Sequence, residues 1–231
     1  MHAPTFKLAL ISAAILVSTS AFAQDQQVVR IGIAAPTSGP AAHLGADNVN
    51  GANLAIEDLN AAKLKIGGKS VRFELQTEDD QADPKQATLV AQKFCDQHVN
   101  GVVGHLTSGA TAPAAKIYND CGVPHISPTA TNPKLTEMGY KTTFRLIASD
   151  NSTGVALAQY IQSTLKLSKV AIIDDRTAYG QGLSGVFRKT AKQIGLQVVE
   201  EQYTSDKSVD FTAILTAIKS KGAEAIFFAG L

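Results

Sequence analysis

The chain has 231 residues, 45% of them hydrophobic and 18% charged, which is enough apolar material for a packed core and not the composition of a disordered segment. With 21 Lys and Arg against 20 Asp and Glu and no basic runs, it lacks the electrostatic footprint of a nucleic-acid-binding protein. The length admits one large domain or two small ones.

The first residues, MHAPTFKLALISAAILVSTSAFAQ, place Lys7 before an apolar run from Leu8 to Val17, followed by the Ala21-Phe22-Ala23 triplet that suits a signal-peptide cleavage site. Residues 1–23 therefore read as a cleaved secretory leader; the run is too short to span a bilayer comfortably. Export makes Cys95 and Cys121 better candidates for a disulfide than for a redox or metal pair, and without a His cluster they cannot complete a zinc site.

VVRIGIAA, Val28 to Ala35, reads as a buried strand ending in the turn PTSGP. NVNGANLAIEDLNAA sets Ala52, Ala55, Ile56 and Leu59 at helical spacing, and GGKSVRFELQTEDD supplies a turn and a second strand. A helix follows with Asp83 as N-cap and Pro84 at its first position, burying Ala87, Val90, Ala91 and Phe94. GVVGHL, ATAPAAKIYNDCG and VPHISP continue as strand, helix and strand, and TTFRLIASDNSTG reads as a crossover. Helix and strand then alternate from VALAQYIQSTLKL through KVAIIDD, GLSGVFRKTAKQIG, LQVVEEQY and DFTAILTAIKSKG to AEAIFFAGL. This alternation predicts parallel sheets flanked by helices. The expected organisation is an N-terminal α/β lobe over residues 24–147 and a second, partial α/β lobe over residues 148–231.

Ligands of open α/β sheets bind beyond the carboxyl ends of the strands. Two hydroxyl-rich turns occupy that position. Ser108 and Thr111 lie where GVVGHL enters a helix, a place that favours a carboxylate or phosphate. Thr129 and Thr131 follow the next strand, where hydroxyl and carbonyl groups together suit an ammonium. Turn and cap roles common to every α/β protein remain an alternative for all four.

Enzymatic readings are weaker. GQGLSG, Gly180 to Gly185, matches a dinucleotide fingerprint, but DRTAY separates it from the preceding strand. Ser108 lies in LTSGA, outside a nucleophile elbow, and His105 and His125 both read as structural strand residues. The pairs Asp79-Asp80 and Asp174-Asp175 end strands with no further ligand cluster, so no metal site is expected.

The segments IGIAAPTSGPAAHLG, DDQADPKQA, VVGHLTSGATAPAAKIYNDCGVPHISPTATNP and IIDDRTAYGQGL resemble the periplasmic leucine/isoleucine/valine-binding proteins, the type I solute receptors of ABC importers. The resemblance runs from about Val28 to the end. It implies a two-lobed α/β clamp of the Venus-flytrap kind, with no catalytic activity and no cofactor. It also implies a small amino acid ligand, an inner-membrane ABC permease as partner and a periplasmic location; a monomer is expected. By the same resemblance Ser108 binds the ligand carboxylate, and Thr129, chiefly through its backbone, and Thr131 hold both charged ends. Tyr179 closes from the second lobe, and Leu44 touches the ligand side chain. The family's acid for the ammonium falls beyond Leu231, and the second lobe reads as incomplete. Other small solutes, namely an amide, urea or an aromatic acid, and a truncated product that does not bind remain open.

Overall fold

A computed structural model describes residues 26–231; the expected leader lies outside them. Nine strands form two sheets among the described residues. In the first, the order is β2-β3-β1-β4-β5-β6, with β1 Gln27–Ala35, β2 Lys65–Ile66, β3 Lys69–Asp79, β4 Gly101–Gly104, β5 His125–Ser127 and β6 Thr143–Arg145. All its pairs are parallel except the β2–β3 hairpin, which turns at Gly67 and Gly68, both at positive φ. The second sheet has the order β8-β7-β9, with β7 Lys169–Asp174 parallel to both β8 Gln197–Tyr203 and β9 Ala225–Ala229.

The helices in the first unit are α1 Ala42–Ala61, α2 Pro84–Asp96, α3 Ser108–Cys121 and the single turn α4 Lys134–Glu137. Those beside the second sheet are α5 Asp150–Gln159, which runs on as a π-helical turn over Tyr160–Thr164, α6 Ala178–Ile194 and α7 Thr212–Ser220. Helix α2 starts as its sequence demands: the Asp83 side chain accepts from the Lys85 and Gln86 amides, and Pro84 needs no donor there. Its buried face is the expected one, Ala87, Val90, Ala91 and Phe94. Together with Ala114 and Tyr118 of α3 and Val102 of β4 it forms the first core. The Phe94 ring lies flat against β1 at Gly32, where a Cβ would approach ring carbons to 2.9 Å.

The same pairing of α2 with α3 brings the sulfurs of Cys95 and Cys121 to bonding distance, with Cα atoms 6.1 Å apart, an ordinary disulfide span. The second core centres on Phe187 of α6, stacked on Phe227 of β9 with ring centroids 3.8 Å apart.

Several boundaries differ from expectation. Strand β4 stops at Gly104, so His105 and Leu106 belong to the turn and not to the strand. Thr143–Arg145, read as part of a crossover, pairs with β5 as a sixth strand. Helix α1 begins at Ala42, and Ala55 of its expected buried face is exposed. Helices α5 and α6 start at Asp150 and Ala178, each earlier than their apolar periodicity suggests, because Ser149 and Thr177 cap them.

Candidate functional site

A cleft of about 260 Å³ opens at the carboxyl ends of β4 and β5. Its walls include Leu44 from α1, Ser108 from the start of α3, Thr129, Ala130 and Thr131 from the turn after β5, and Tyr179 from the first turn of α6. The structure thus brings together Leu44, Ser108, Thr129, Thr131 and Tyr179, the five residues to which the family resemblance gives ligand contacts.

Thr107 is the N-cap of α3, its hydroxyl accepting from the Ala110 amide 3.2 Å away. Ser108 is therefore the first helical residue, 2% exposed, at the positive end of the helix dipole. Its Oγ accepts from the Asn132 amide at 3.3 Å, which leaves the hydroxyl hydrogen for another acceptor. Thr111 does not share the site: it is fully buried, and its hydroxyl donates back to the carbonyls of Thr107 and His105 at 2.8 and 3.2 Å. A helical threonine readily bonds the carbonyl four residues earlier, and that wins here over an outward orientation.

The second turn is braced against the first. Thr129 Oγ1 donates to the Leu106 carbonyl at 2.7 Å, and Ser127 Oγ donates to the His105 carbonyl at 2.8 Å while accepting from the Ala130 amide at 3.0 Å. With its hydroxyl hydrogen donated to Leu106, Thr129 has no side-chain donor left for a ligand. Thr131 Oγ1 donates to Asp150 Oδ2 at 3.0 Å, and the Asp150 amide returns a bond to the Thr131 carbonyl at 3.0 Å.

Asp150 is 1% exposed. Burial pushes its carboxyl above the usual range, against the opposing pull of the Thr131 hydroxyl and the Arg145 charge. The Tyr179 phenol is raised first by burial and then by the negative charges of Asp150 and Asp175, which places that acid within electrostatic reach of the tyrosine. Asp150 escaped the sequence reading because an acid just after a Ser cap looks like ordinary helix-start chemistry. Asn132, equally unnoticed, sits between Ser108 and α6; an Asn before Pro gives no sign of more than a turn.

Behind the turns lies a buried polar chain. His105 Nδ1 meets Asp80 Oδ2 at 2.7 Å and its Nε2 meets the Tyr118 hydroxyl at 3.1 Å. His125 Nε2 meets Thr143 Oγ1 at 3.0 Å. With both His105 ring nitrogens engaged, this histidine is a structural group and offers Ser108 no base. GQGLSG lies inside α6 and not in a strand-to-helix turn, so it does not form a dinucleotide cradle. The acids at the strand ends hold turns: Asp79 accepts from the Thr37 amide and the Ser38 hydroxyl, and Asp175 from the Thr177 amide and hydroxyl.

Burial, and to a lesser degree the neighbouring His105, lowers the His125 pKa to about 4, with the Gly104 carbonyl pulling the other way. The unfolded imidazole takes up its proton near pH 6.5, so the folded state loses stability as pH falls from there toward 4. The expected loss is roughly 3 kcal/mol over that window. Urea midpoints measured from pH 7 to 4 check this; His125→Gln must flatten the slope between pH 6.5 and 4, whatever it does to stability at neutral pH.

A cleft between two parallel α/β sheets, walled by hydroxyls and helix termini, is the mark of a solute-binding protein fold. Residues 28–231 match the periplasmic binding protein family, and the chain belongs to it. An amino acid binding protein of Pseudomonas aeruginosa is 39% identical over 204 residues, 88% of this chain and 54% of that protein. The leucine-specific-binding protein of Salmonella typhimurium is 37% identical over 217 residues, 94% of this chain and 57% of that protein. Among solved structures, the branched-chain amino acid transporter substrate binding protein LivJ of Streptococcus pneumoniae, in complex with isoleucine, matches with a TM-score of 0.76. It is 32% identical, over 87% of this chain and 57% of that one. The chain spans about half the length of the curated relatives it matches.

Proposed function

We propose that this chain is a periplasmic receptor that holds a branched-chain or other small aliphatic amino acid between two lobes and delivers it to an inner-membrane ABC permease. The observation that carries the reading is the convergence of Ser108, the Thr129–Thr131 turn and Tyr179 on one small cleft, with the buried Asp150 carboxylate holding the Thr131 hydroxyl. The Ser108 hydroxyl and the first turn of α3 suit the ligand carboxylate. The strand-end carbonyls suit its ammonium, and Leu44 and Leu106 offer apolar contact to the side chain. At about 260 Å³ the space lies below the range of drug-sized pockets and matches one small zwitterion. Among the described residues no nucleophile is paired with a base at the cleft, which supports reading it as a binding site.

In this reading the lobes comprise residues 24–147 and 148–231, and residues 1–23 are removed on export. A Cys95–Cys121 disulfide suits that oxidising compartment. It closes a loop across a sequence separation of 26 residues. Its reduction is expected to lower stability by about 3.5 kcal/mol by the loop-entropy model, seen as a drop in urea midpoint with dithiothreitol that a Cys95→Ala, Cys121→Ala variant does not show.

Thermal-shift titration with leucine, isoleucine, valine and alanine tests the function. A ligand present at 100 times its Kd adds about 2.7 kcal/mol. No shift with any of the four sinks the aliphatic reading, and a shift with an aromatic acid or an amide instead would reassign the ligand.

A further inference from the structure

Asn132 makes five hydrogen bonds, one of them a local bond that its carbonyl accepts from the Leu135 amide at 3.2 Å. Its amide donates to Ser108 Oγ at 3.3 Å and its carbonyl accepts from Arg145 of β6 at 3.1 Å. Its Oδ1 accepts from the Lys134 amide at 3.0 Å, closing a local turn at the start of α4. Its Nδ2 reaches 46 positions along the chain to donate to the carbonyl of Ala178, the first residue of α6, at 2.6 Å. The side chain is therefore split between two duties, a local turn on its oxygen and a bond to α6 on its nitrogen.

The opposing surface is shaped to receive it. Gly182 lies one turn into α6, and a Cβ there would fall 2.5 Å from Asn132 Nδ2 and 2.9 Å from its Cγ. Glycine in a helix interior is unfavourable by about 1 kcal/mol relative to alanine. The local helix does not call for it, whereas the approach of the Asn132 amide does. Tyr179, which walls the cleft, is the residue next to Ala178.

We propose that Asn132 and Gly182 form a latch between the two lobes. The latch is a positioning device for the binding site: it couples the turn that carries Ser108 and Thr131 to the turn that carries Tyr179, and sets how much of the population has the two halves in register. This rests on reading the cleft as an amino acid site between lobes. Affinity falls by the fraction of molecules that are binding-competent, so weakening the latch raises Kd without removing any ligand contact.

Two variants approach the contact from opposite sides. Asn132→Asp keeps the oxygen that accepts from Lys134 but replaces the donor to Ala178 with an acceptor, setting carboxylate against carbonyl. Gly182→Ala leaves Asn132 intact, favours the α6 helix, and pushes the amide away. Each is to be measured for its Kd for the amino acid that binds the unaltered chain, for thermal stability without ligand, and for the ligand-free interlobe distance from a fluorescence-transfer pair placed on exposed positions of α2 and α7. The expected result in both is a Kd raised about tenfold, the equivalent of one lost hydrogen bond. Dissociation should be faster and the interlobe distance longer, and Gly182→Ala should be no less heat-stable than the unaltered chain. Unchanged Kd and unchanged distance in either variant overturn the latch. Should the unaltered chain bind none of the amino acids, the functional reading fails separately, and the ligand-free distance alone then supports or overturns the latch.

Discussion

Under the proposed function, Ser108→Ala is expected to weaken binding of the aliphatic amino acid by about 100-fold. A hydrogen bond to a charged group contributes about 1.5–3 kcal/mol, and Ser108 is 2% exposed, so no water replaces the lost donor at full strength. Its Oγ already accepts from Asn132, which orients the remaining hydroxyl hydrogen and spares the ligand that ordering. Isothermal titration of the variant checks the loss; Ser108→Thr, which keeps the donor, should recover part of it. A Ser108→Ala protein that binds like the original would remove the carboxylate role from this residue.

The second large effect is on stability. Asp80→Ala is expected to lower it by roughly 3 kcal/mol, because removing one partner of a buried pair strands the other. Asp80 and His105 are both fully buried, and the same carboxylate accepts from the Ala82 amide at 2.9 Å. Truncation leaves the Ala82 amide and the His105 imidazole without their partner. For a chain of this size the shift in Tm is on the order of 10 °C. Calorimetry checks it, with Asp80→Asn, which retains an acceptor, falling between the two. A Tm within a degree or two of the original would show that the histidine is held by its other contacts alone.

The alternation of apolar strands and amphipathic helices announces the architecture, because burial on both faces leaves a continuous β-branched run that little else imitates. The hydroxyl turns were readable for a related reason: position at a strand end selects them from the many Ser and Thr of the chain. Thr111 shows the limit, since only the fold reveals that its hydroxyl turns back on its own helix. The early start of α6 was hidden by Gly180 and Gly182, which read as loop residues; both are required by neighbours distant in sequence, Asp175 with Ala229 for one and Asn132 for the other. Strand β6 has only three residues, too few for a period to register. Asp150 and Asn132 carry common cap and turn identities, and their significance lies in what the second unit places opposite them.

The cross-bracing of the two hydroxyl turns has a consequence for dynamics. Binding loops usually belong to the least protected parts of a protein. Here the Ala130 amide is tied to Ser127, whose hydroxyl is tied to His105, whose ring is anchored on Asp80 beneath the surface. The slowest hydrogen exchange in the first unit should therefore include the amides of the hydroxyl turns themselves. Under the proposed function, a ligand arriving at such a surface has little chain to order, and the entropy lost on association falls mainly on the ligand and on the movement of one sheet unit toward the other.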